Sequence, residues 1–124
     1  MEYIYIIIKR KEKNLYGKFE FEGEYLYNKK WNGKGYDENG NIIYELKNGN
    51  GKVKEYLYNK LIFEGEYLNG NKNGKGKEYD ECGKLIFEGE YLNGRRWNGK
   101  GKEFNSLGDQ IFEGEYINGK KREN

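Results

Sequence analysis

Two tryptophans, each preceded by two cations, are the residues best suited to contact a partner. They lie in the segments Lys29-Lys30-Trp31-Asn32-Gly33 and Arg95-Arg96-Trp97-Asn98-Gly99. A loop tryptophan beside basic side chains can anchor a partner protein or lie at the headgroup layer of a membrane. In the competing interpretation, which we favour, each ring folds back onto other aromatic side chains and the cations are solvated, because tryptophan is usually well buried.

Most catalytic constellations lack their residues in this chain. It has no His, so neither a Ser-His or Cys-His pair nor an imidazole metal site can form. Glu64 and Glu66 are paired carboxylates, but similar pairs recur along the chain, whereas acid/base catalysis needs one environment that separates two pKa values. Segment 70–76 lacks the spacing and the Ser/Thr of a phosphate-binding loop. We therefore predict no enzymatic activity, no metal and no cofactor.

Composition limits the kinds of molecule that the protein can bind and indicates where in the cell it is found. The 124 residues carry 23 basic and 21 acidic groups, and this balance gives no broad basic field for nucleic acid. Cys82 is the only cysteine, which excludes an intramolecular disulfide. The apolar stretch Tyr3–Ile8 is shorter than a bilayer span and lacks the features of a signal peptide. It predicts a strand that is buried or covers the end of a sheet, in a cytoplasmic protein.

An internal repeat organises the chain. The string Phe-Glu-Gly-Glu-Tyr begins at Phe21, Phe63, Phe87 and Phe112, and a degenerate copy covers Tyr44–Gly49. The second glutamate recurs in steps of 21 to 25 residues, a spacing typical of repeat architectures. We predict one repeat domain over 1–124. It comprises an N-terminal capping strand and turn at 1–14, hairpin units at 15–40, 41–59, 60–83 and 84–108, and a terminal half unit at 109–124.

Each unit is predicted to be a β-hairpin. In the third unit, residues 63, 65 and 67 alternate with 64, 66 and 68 in the period of two that strands have. Asn69-Gly70 and Asn73-Gly74 bracket the turn, and Asn-Gly readily adopts the positive φ angles of tight hairpin turns. On the charged face, Glu64 and Glu66 are expected opposite Lys75 and Lys77, as a solvated array.

Glycines and aromatic residues share the other face, where a ring is expected to lie over the bare backbone of a neighbouring glycine. The aromatic row is Phe21, Tyr25, Phe63, Tyr67, Phe87, Tyr91, Phe112 and Tyr116. The structural glycines are Gly23, Gly35, Gly65, Gly76, Gly89, Gly101 and Gly114. Internal packing is the favoured role of the row, because little else can build a core. An open row would form a groove for a peptide or a sugar.

The segment Phe87–Phe104 resembles the MORN (membrane occupation and recognition nexus) repeat, whose pattern is an aromatic, a Gly, an aromatic, then Gly and a Gly-x-Gly pair. The resemblance covers about Leu15 to Asn118. The second unit departs from it, with Tyr44, Leu46 and Val53 at positions of the pattern. The resemblance implies an all-β, elongated meander or solenoid of stacked antiparallel hairpins and a binding role.

These observations favour a non-catalytic β-repeat scaffold that binds another protein through the aromatic face or the Trp loops. One alternative is a membrane-surface module that contacts anionic phospholipid through the Trp-plus-cation loops. A second alternative is an antitoxin-like or carbohydrate-binding repeat protein. A stack of hairpins leaves edge strands, and the charges near the C-terminus oppose edge pairing, so we predict a monomer or weak dimer.

Overall fold

The computed structural model describes residues 7–13 and 19–123, which form eleven strands and no helix. The strands are β1 (Ile7–Lys13), β2 (Phe19–Leu26), β3 (Lys29–Tyr36), β4 (Ile42–Leu46), β5 (Gly51–Leu57), β6 (Lys60–Leu68), β7 (Asn71–Tyr79), β8 (Leu85–Leu92), β9 (Arg95–Phe104), β10 (Gln110–Ile117) and β11 (Lys120–Glu123). They form a four-stranded sheet in the order β1-β2-β3-β4 and a seven-stranded sheet in the order β11-β10-β9-β8-β7-β6-β5. The predicted all-β class, with antiparallel hairpins of consecutive strands, is confirmed. Within the described ranges, no helix is long and apolar enough to cross a membrane.

The two ends of the chain agree only in part with the sequence prediction. Residues 3–6 of the predicted apolar strand lie outside the described residues, and Ile7 and Ile8 begin β1 with 51% and 45% of their surface exposed. This described part of the strand is therefore not buried, but it is the outermost strand of the four-stranded sheet and covers the end of that sheet, which is the other form of the prediction. The terminal segment was expected to be a half unit, but β10 is followed by β11, which pairs with it from Gly114↔Glu123 to Ile117↔Lys120. The segment is a complete, short hairpin.

The described residues fall into two compact units. The first runs up to Val53 and includes Tyr67–Asn71. Its core consists of Phe21, Tyr25, Tyr44, Leu46 and Val53, with Ile43 and Tyr67 packed against it. The Phe21 ring meets Tyr25 edge-on at 5.5 Å between centroids and stacks on Tyr44 at 6.3 Å.

The second unit consists of Lys54–Glu66 and the chain from Lys72 onward. Its core is an edge-to-face series of rings: Phe63–Tyr91, Phe87–Tyr91, Phe87–Tyr116 and Phe112–Tyr116, with centroids 5.2 to 5.6 Å apart. Such T-shaped pairs are the arrangement that aromatic quadrupoles favour. Each ring in the middle of the series contacts two others. Aromatic side chains therefore form the core that aliphatic side chains form in most proteins.

Glycine makes this packing possible. A Cβ added to Gly76 would lie 2.8 Å from Cε2 of Tyr91 and 2.9 Å from Cε1 of Phe63. A Cβ at Gly101 would lie 2.9 Å from Tyr116 and 3.0 Å from Phe87. The expectation that rings lie over bare backbone is confirmed at these positions, because any side chain there would occupy the space that the rings fill.

Four of the hairpin turns use an Asn-Gly pair, whereas the turns after β2 and β5 use Tyr27-Asn28 and Tyr58-Asn59. Asn69 and Gly70 form the turn with φ angles of +52° and +82°, the positive values that a tight hairpin requires. The prediction that Asn73-Gly74 also bracket the turn is wrong, because both residues lie in β7. Asn73 has another function there: its Oδ1 accepts a hydrogen bond from the backbone N–H of Asn93, in the next hairpin turn.

This side-chain contact recurs as an asparagine ladder. The Oδ1 atoms of Asn32, Asn50, Asn73 and Asn98 accept from the backbone N–H of Asn48, Asn69, Asn93 and Asn118, at 2.8 to 3.2 Å. The glycine that follows each of these turn asparagines also donates its N–H to the preceding hairpin. Each turn therefore docks on its predecessor through two hydrogen bonds, which fixes the alignment of successive hairpins.

The degenerate second unit coincides with the boundary between the sheets. Tyr44 pairs with Gly35, and its ring fills the space above that glycine. Leu46 and Val53 are buried beside it, at positions where the repeat pattern differs. Within the described residues, β4 and β5 are joined by the single bridge Lys47↔Asn50 and belong to different sheets. At this boundary Tyr44, Leu46 and Val53 pack into the core of the first unit, and β4 and β5 do not form a regular ladder.

Candidate interaction surface

Both tryptophan rings lie against the glycine of the following hairpin turn. The carbonyl oxygen of Trp31 accepts a hydrogen bond from the N–H of Gly49 at 2.8 Å, and that of Trp97 accepts from Gly119 at 2.9 Å. A Cβ at Gly49 would lie 2.8 Å from Cζ3 of Trp31, and one at Gly119 would lie 3.0 Å from Cζ3 of Trp97. The rings are folded back and half-buried, as the favoured interpretation expected. These contacts place each ring over a hairpin turn, whereas that interpretation expected it to cover other aromatic side chains.

The cations before each tryptophan separate into an outer and an inner residue. Lys29 and Arg95 are exposed, whereas Lys30 and Arg96 are partly buried. Nζ of Lys30 lies 3.4 Å from Oε2 of Glu12 and 5.2 Å from the centroid of the Phe21 ring. The expectation that all four cations are solvated is therefore wrong for the inner pair, which belongs to the core.

A triad of tyrosine, glutamate and cation repeats through the chain, and it was not recognised in the sequence. Its members are Tyr25–Glu12–Lys30, Tyr91–Glu78–Arg96 and Tyr116–Glu103–Lys121. In each triad the tyrosine hydroxyl donates to a glutamate 13 residues earlier, and the cation pairs with the same carboxylate. The repeated spacing of Glu, Tyr and Lys/Arg was the signal available in the sequence.

Arg96 is the most connected member of these triads. Its Nε and Nη2 donate to Oε1 and Oε2 of Glu78 at 3.0 and 2.8 Å, and its Nη1 donates to the Tyr116 hydroxyl at 2.9 Å. Burial alone would raise the pKa of Glu78, but hydrogen bonds from Arg96 and Tyr91 outweigh it and hold that pKa below its ordinary value. Burial and the Glu78 carboxylate together raise the pKa of Tyr91. These groups neutralise one another, so the triad is structural.

The aromatic row lies in the interior and leaves no open groove. Seven of its eight members are buried, and Tyr67 is partly buried against the core of the first unit. Of the structural glycines, Gly35, Gly76, Gly101 and Gly114 are buried and the other three are partly buried. A partner cannot reach the rings in this conformation, so any interaction surface has to be built from other side chains.

The outward face of the strands carries weak ion pairs. The register between β7 and β8 places Lys75 opposite Glu90 and Lys77 opposite Glu88. The sequence pattern predicts only the glutamates of β6 as partners of these lysines. Lys77 and Glu88 approach to 3.3 Å, with side chains 46% and 56% exposed, and such pairs contribute little stability. On the same face, the hydrogen bond to Glu64, aided by burial, raises the pKa of Tyr79 to about 12. Lys75, Lys77, Glu88 and Glu90 are exposed, so the predicted solvated array is confirmed for them, whereas Glu64 is partly buried.

Four of the large apolar side chains that are exposed in the second unit lie near the same strand ends, and we term them the apolar end patch. They are Leu85 (45% exposed), Phe104 (42%), Leu107 (85%) and Ile111 (58%). They lie around the connections between hairpins, at the strand ends opposite the Asn-Gly turns. Asn105 fixes one connection, because its Oδ1 accepts from the N–H groups of Leu107 and Asp109 at 3.0 and 2.9 Å. This turn presents Leu107 to solvent.

An open pocket of about 570 Å³ adjoins this patch in the second unit. Its lining combines Ile86 and Phe104 with the cations Arg95, Arg96 and Lys102, and with Glu103, Tyr116 and Gly119. The exposed thiol of Cys82 lies in another connection, where Asp80 accepts hydrogen bonds from the backbone. No group of three potential metal ligands occurs within residues 7–13 and 19–123.

The second unit therefore presents an apolar surface and a cationic pocket, while its tryptophan and aromatic row serve its own packing. Comparison of the chain with protein-family models, with curated proteins and with solved structures gave no significant match.

Proposed function

We propose that the chain is a non-catalytic β-repeat scaffold of the MORN type that binds another protein through the apolar end patch. The observation that carries the proposal is the exposure of Leu85, Phe104, Leu107 and Ile111 in a chain with few aliphatic residues. Full burial of one such side chain contributes roughly 1.5–3 kcal/mol. A partner that covers the exposed parts of all four side chains would therefore gain several kcal/mol of binding free energy. Exposed apolar side chains that lie near one end of a sheet, as these four do, are typical of interaction sites.

Support for the MORN-type assignment comes from the repeated association of glycine and aromatic side chains. Phe87 pairs in register with Gly101, and Tyr116 with Gly99, as the spacing of the family pattern requires. The elongated solenoid and the family membership are parts of this proposal. A scaffold needs a well-ordered surface, and within the second unit the Asn73 and Asn98 hydrogen bonds and the edge-to-face rings support one.

The membrane-surface alternative receives less support. A tryptophan that anchors to lipid presents its ring to the headgroup layer. Trp31 and Trp97 instead lie against Gly49 and Gly119, and both rings are half-buried. Co-sedimentation with phosphatidylserine vesicles at low salt tests this alternative directly, and we expect the chain to remain in the supernatant.

The test of the protein-binding proposal compares the wild-type chain with a Leu107→Asp/Ile111→Asp variant as bait in affinity capture. The control variant is Lys75→Ala, which changes an exposed residue of the same unit on the charged face. We expect a partner that is captured by the wild type and the control, and whose affinity for the apolar-patch variant falls at least tenfold when both proteins are purified and titrated. Equal affinity for all three baits would contradict the proposal. Light scattering of the wild-type bait at several concentrations distinguishes a second copy of the chain from a foreign partner.

A further inference from the structure

We propose that the open pocket beside the apolar end patch receives an extended acidic segment of the partner protein, in which carboxylates alternate with apolar side chains. The inference rests on the scaffold function proposed above and adds the chemistry of the segment that is bound. Arg95 and Lys102 would meet the carboxylates, and Ile86 and Phe104 would meet the apolar side chains.

The first argument is the balance of charge in the pocket. Three cations and one carboxylate line it. Arg96 is occupied by Glu78, and the one lining carboxylate, Glu103, is paired with Lys121 outside the lining. Arg95 and Lys102 therefore determine the charge that a ligand meets.

Arg95 is held in place without being neutralised. Its guanidinium lies 5.6 Å from the centroid of the Trp97 ring, and Nη2 lies 3.4 Å from the position of a Cβ on Gly119. No carboxylate of the described residues lies within 4.0 Å of it. A guanidinium that lies over an aromatic ring keeps the N–H donors in its own plane available, and they can bind a carboxylate through two parallel hydrogen bonds. The restricted side chain also loses less conformational entropy on binding.

Lys102 has only a weak partner of its own. Its Nζ lies 3.7 Å from Oε1 of Glu113, and the two side chains are 42% and 54% exposed. An exposed pair of this kind contributes little, so a ligand carboxylate can take the lysine without a large loss. The pocket thus offers two cations to a ligand.

The apolar part of the lining selects against a simple anion. Ile86 and Phe104 would gain nothing from phosphate or sulfate, whereas a leucine or phenylalanine side chain would cover both. Phe104 also belongs to the apolar end patch, so a segment in the pocket continues onto the surface that the scaffold function requires. An open pocket suits an extended peptide better than a small molecule, which is usually bound in an enclosed cavity.

The first experiment uses Trp97 as the reporter. A Trp31→Phe background leaves Trp97 as the only tryptophan. The probe is a short capped peptide that alternates aspartate with leucine and phenylalanine. One comparator has lysine for every aspartate, and the other keeps aspartate but has serine for the apolar residues. We expect the probe to change the Trp97 fluorescence and to bind roughly tenfold more tightly than either comparator.

Variants of the pocket then identify the groups responsible. Arg95→Ala and Phe104→Ser should each weaken binding of the probe about five- to tenfold, and added salt should weaken it further in the wild type. Arg95→Lys should recover only part of the loss, because lysine cannot bind a carboxylate bidentately. Lys75→Ala should bind the probe as the wild type does. Circular dichroism of each variant verifies that the strands are retained.

Three results would overturn the inference: equal binding of the probe and a comparator, no binding of the probe, or binding that Arg95→Ala and Phe104→Ser leave unchanged. The captured partner separates this inference from the scaffold function. If Leu107→Asp/Ile111→Asp releases the partner and Arg95→Ala does not, the pocket assignment fails and the scaffold function stands. If neither variant alters the affinity of the partner, both fail.

Discussion

Arg96 and Glu78 form a two-pronged ion pair inside the second unit, although 18 residues separate them in the chain. Only 15% of the arginine side chain and 23% of the glutamate side chain are exposed. The guanidinium also lies 4.9 Å from the centroid of the Phe87 ring, which joins the charged pair to the aromatic core. Removing one partner of this pair should therefore lower the free energy of unfolding substantially.

Replacing Arg96 with alanine should lower the free energy of unfolding by about 2–4 kcal/mol, because Glu78 would be left largely buried without its counter-charge. Urea unfolding followed by circular dichroism measures the change. The control is Arg95→Ala, which removes an exposed arginine with no ion pair among the described residues and should cost less than about 1 kcal/mol. Similar losses for the two variants would show that the buried pair has no special weight.

The acid limb of the stability curve should depend on Glu78. Its pKa in the folded chain lies below the ordinary value of 4.5. The ionised form therefore stabilises the fold above that ordinary value, and this stabilisation is lost as the pH falls through the lower, folded-state pKa. Urea midpoints should be nearly constant from neutral pH down to about 5 and then decrease.

Glu78→Gln should be less stable than the wild type at neutral pH and should show a flatter acid limb. Glu90→Gln, on the exposed face, serves as the matched control and should keep the wild-type slope. A Glu78→Gln curve parallel to that of the wild type below pH 4.5 would refute the assignment.

Gly76→Ala should lower stability by roughly 1–3 kcal/mol, because the new methyl group would overlap the rings of Tyr91 and Phe63. Gly83→Asn is the control, since a Cβ at Gly83 meets no atom within 4 Å and asparagine tolerates its φ of +84°. Thermal unfolding of both variants provides the comparison. A neutral Gly76→Ala would mean that the rings move aside easily and that the glycine is not required by packing.

Asn98→Ala should cost about 1 kcal/mol, because it removes the acceptor for the N–H of Asn118. Amide hydrogen exchange should accelerate at Asn118 more than in the middle of β8. Asn98→Asp retains an acceptor oxygen and should preserve most of the protection. Unchanged exchange at Asn118 in the alanine variant would show that the asparagine ladder is dispensable.

The strands and turns could be predicted from the sequence because their causes are local. Alternation from Phe63 to Leu68 gives a strand, and Asn69-Gly70 gives a turn with positive φ. The burial of the aromatic row follows from composition, since few other residues could make a core.

The inner position of Arg96 could not be predicted by alternation, because a bulge interrupts it. The register pairs Glu90 with Asn98 but Tyr91 with Arg96, which leaves Trp97 as the extra residue. Arg96 consequently lies opposite inward-facing Tyr91 and reaches Glu78. The same irregularity pairs Tyr25 with Lys30 and leaves Trp31 between the paired residues. The bulge lies within one hairpin, but the partner that Arg96 reaches, Glu78, belongs to the preceding hairpin, and alternation along one strand does not reveal that contact.

The docking of each turn on its predecessor has a consequence for the chemical ageing of the chain. Asparagine deamidates most readily before glycine, because the glycine nitrogen attacks the side-chain amide to form a cyclic imide. In four Asn-Gly turns that nitrogen, on Gly49, Gly70, Gly94 and Gly119, donates its hydrogen to a carbonyl of the preceding hairpin. Cyclisation there requires the turn to detach first, so the hydrogen bonds that align the hairpins also protect four of the nine Asn-Gly sequences from deamidation.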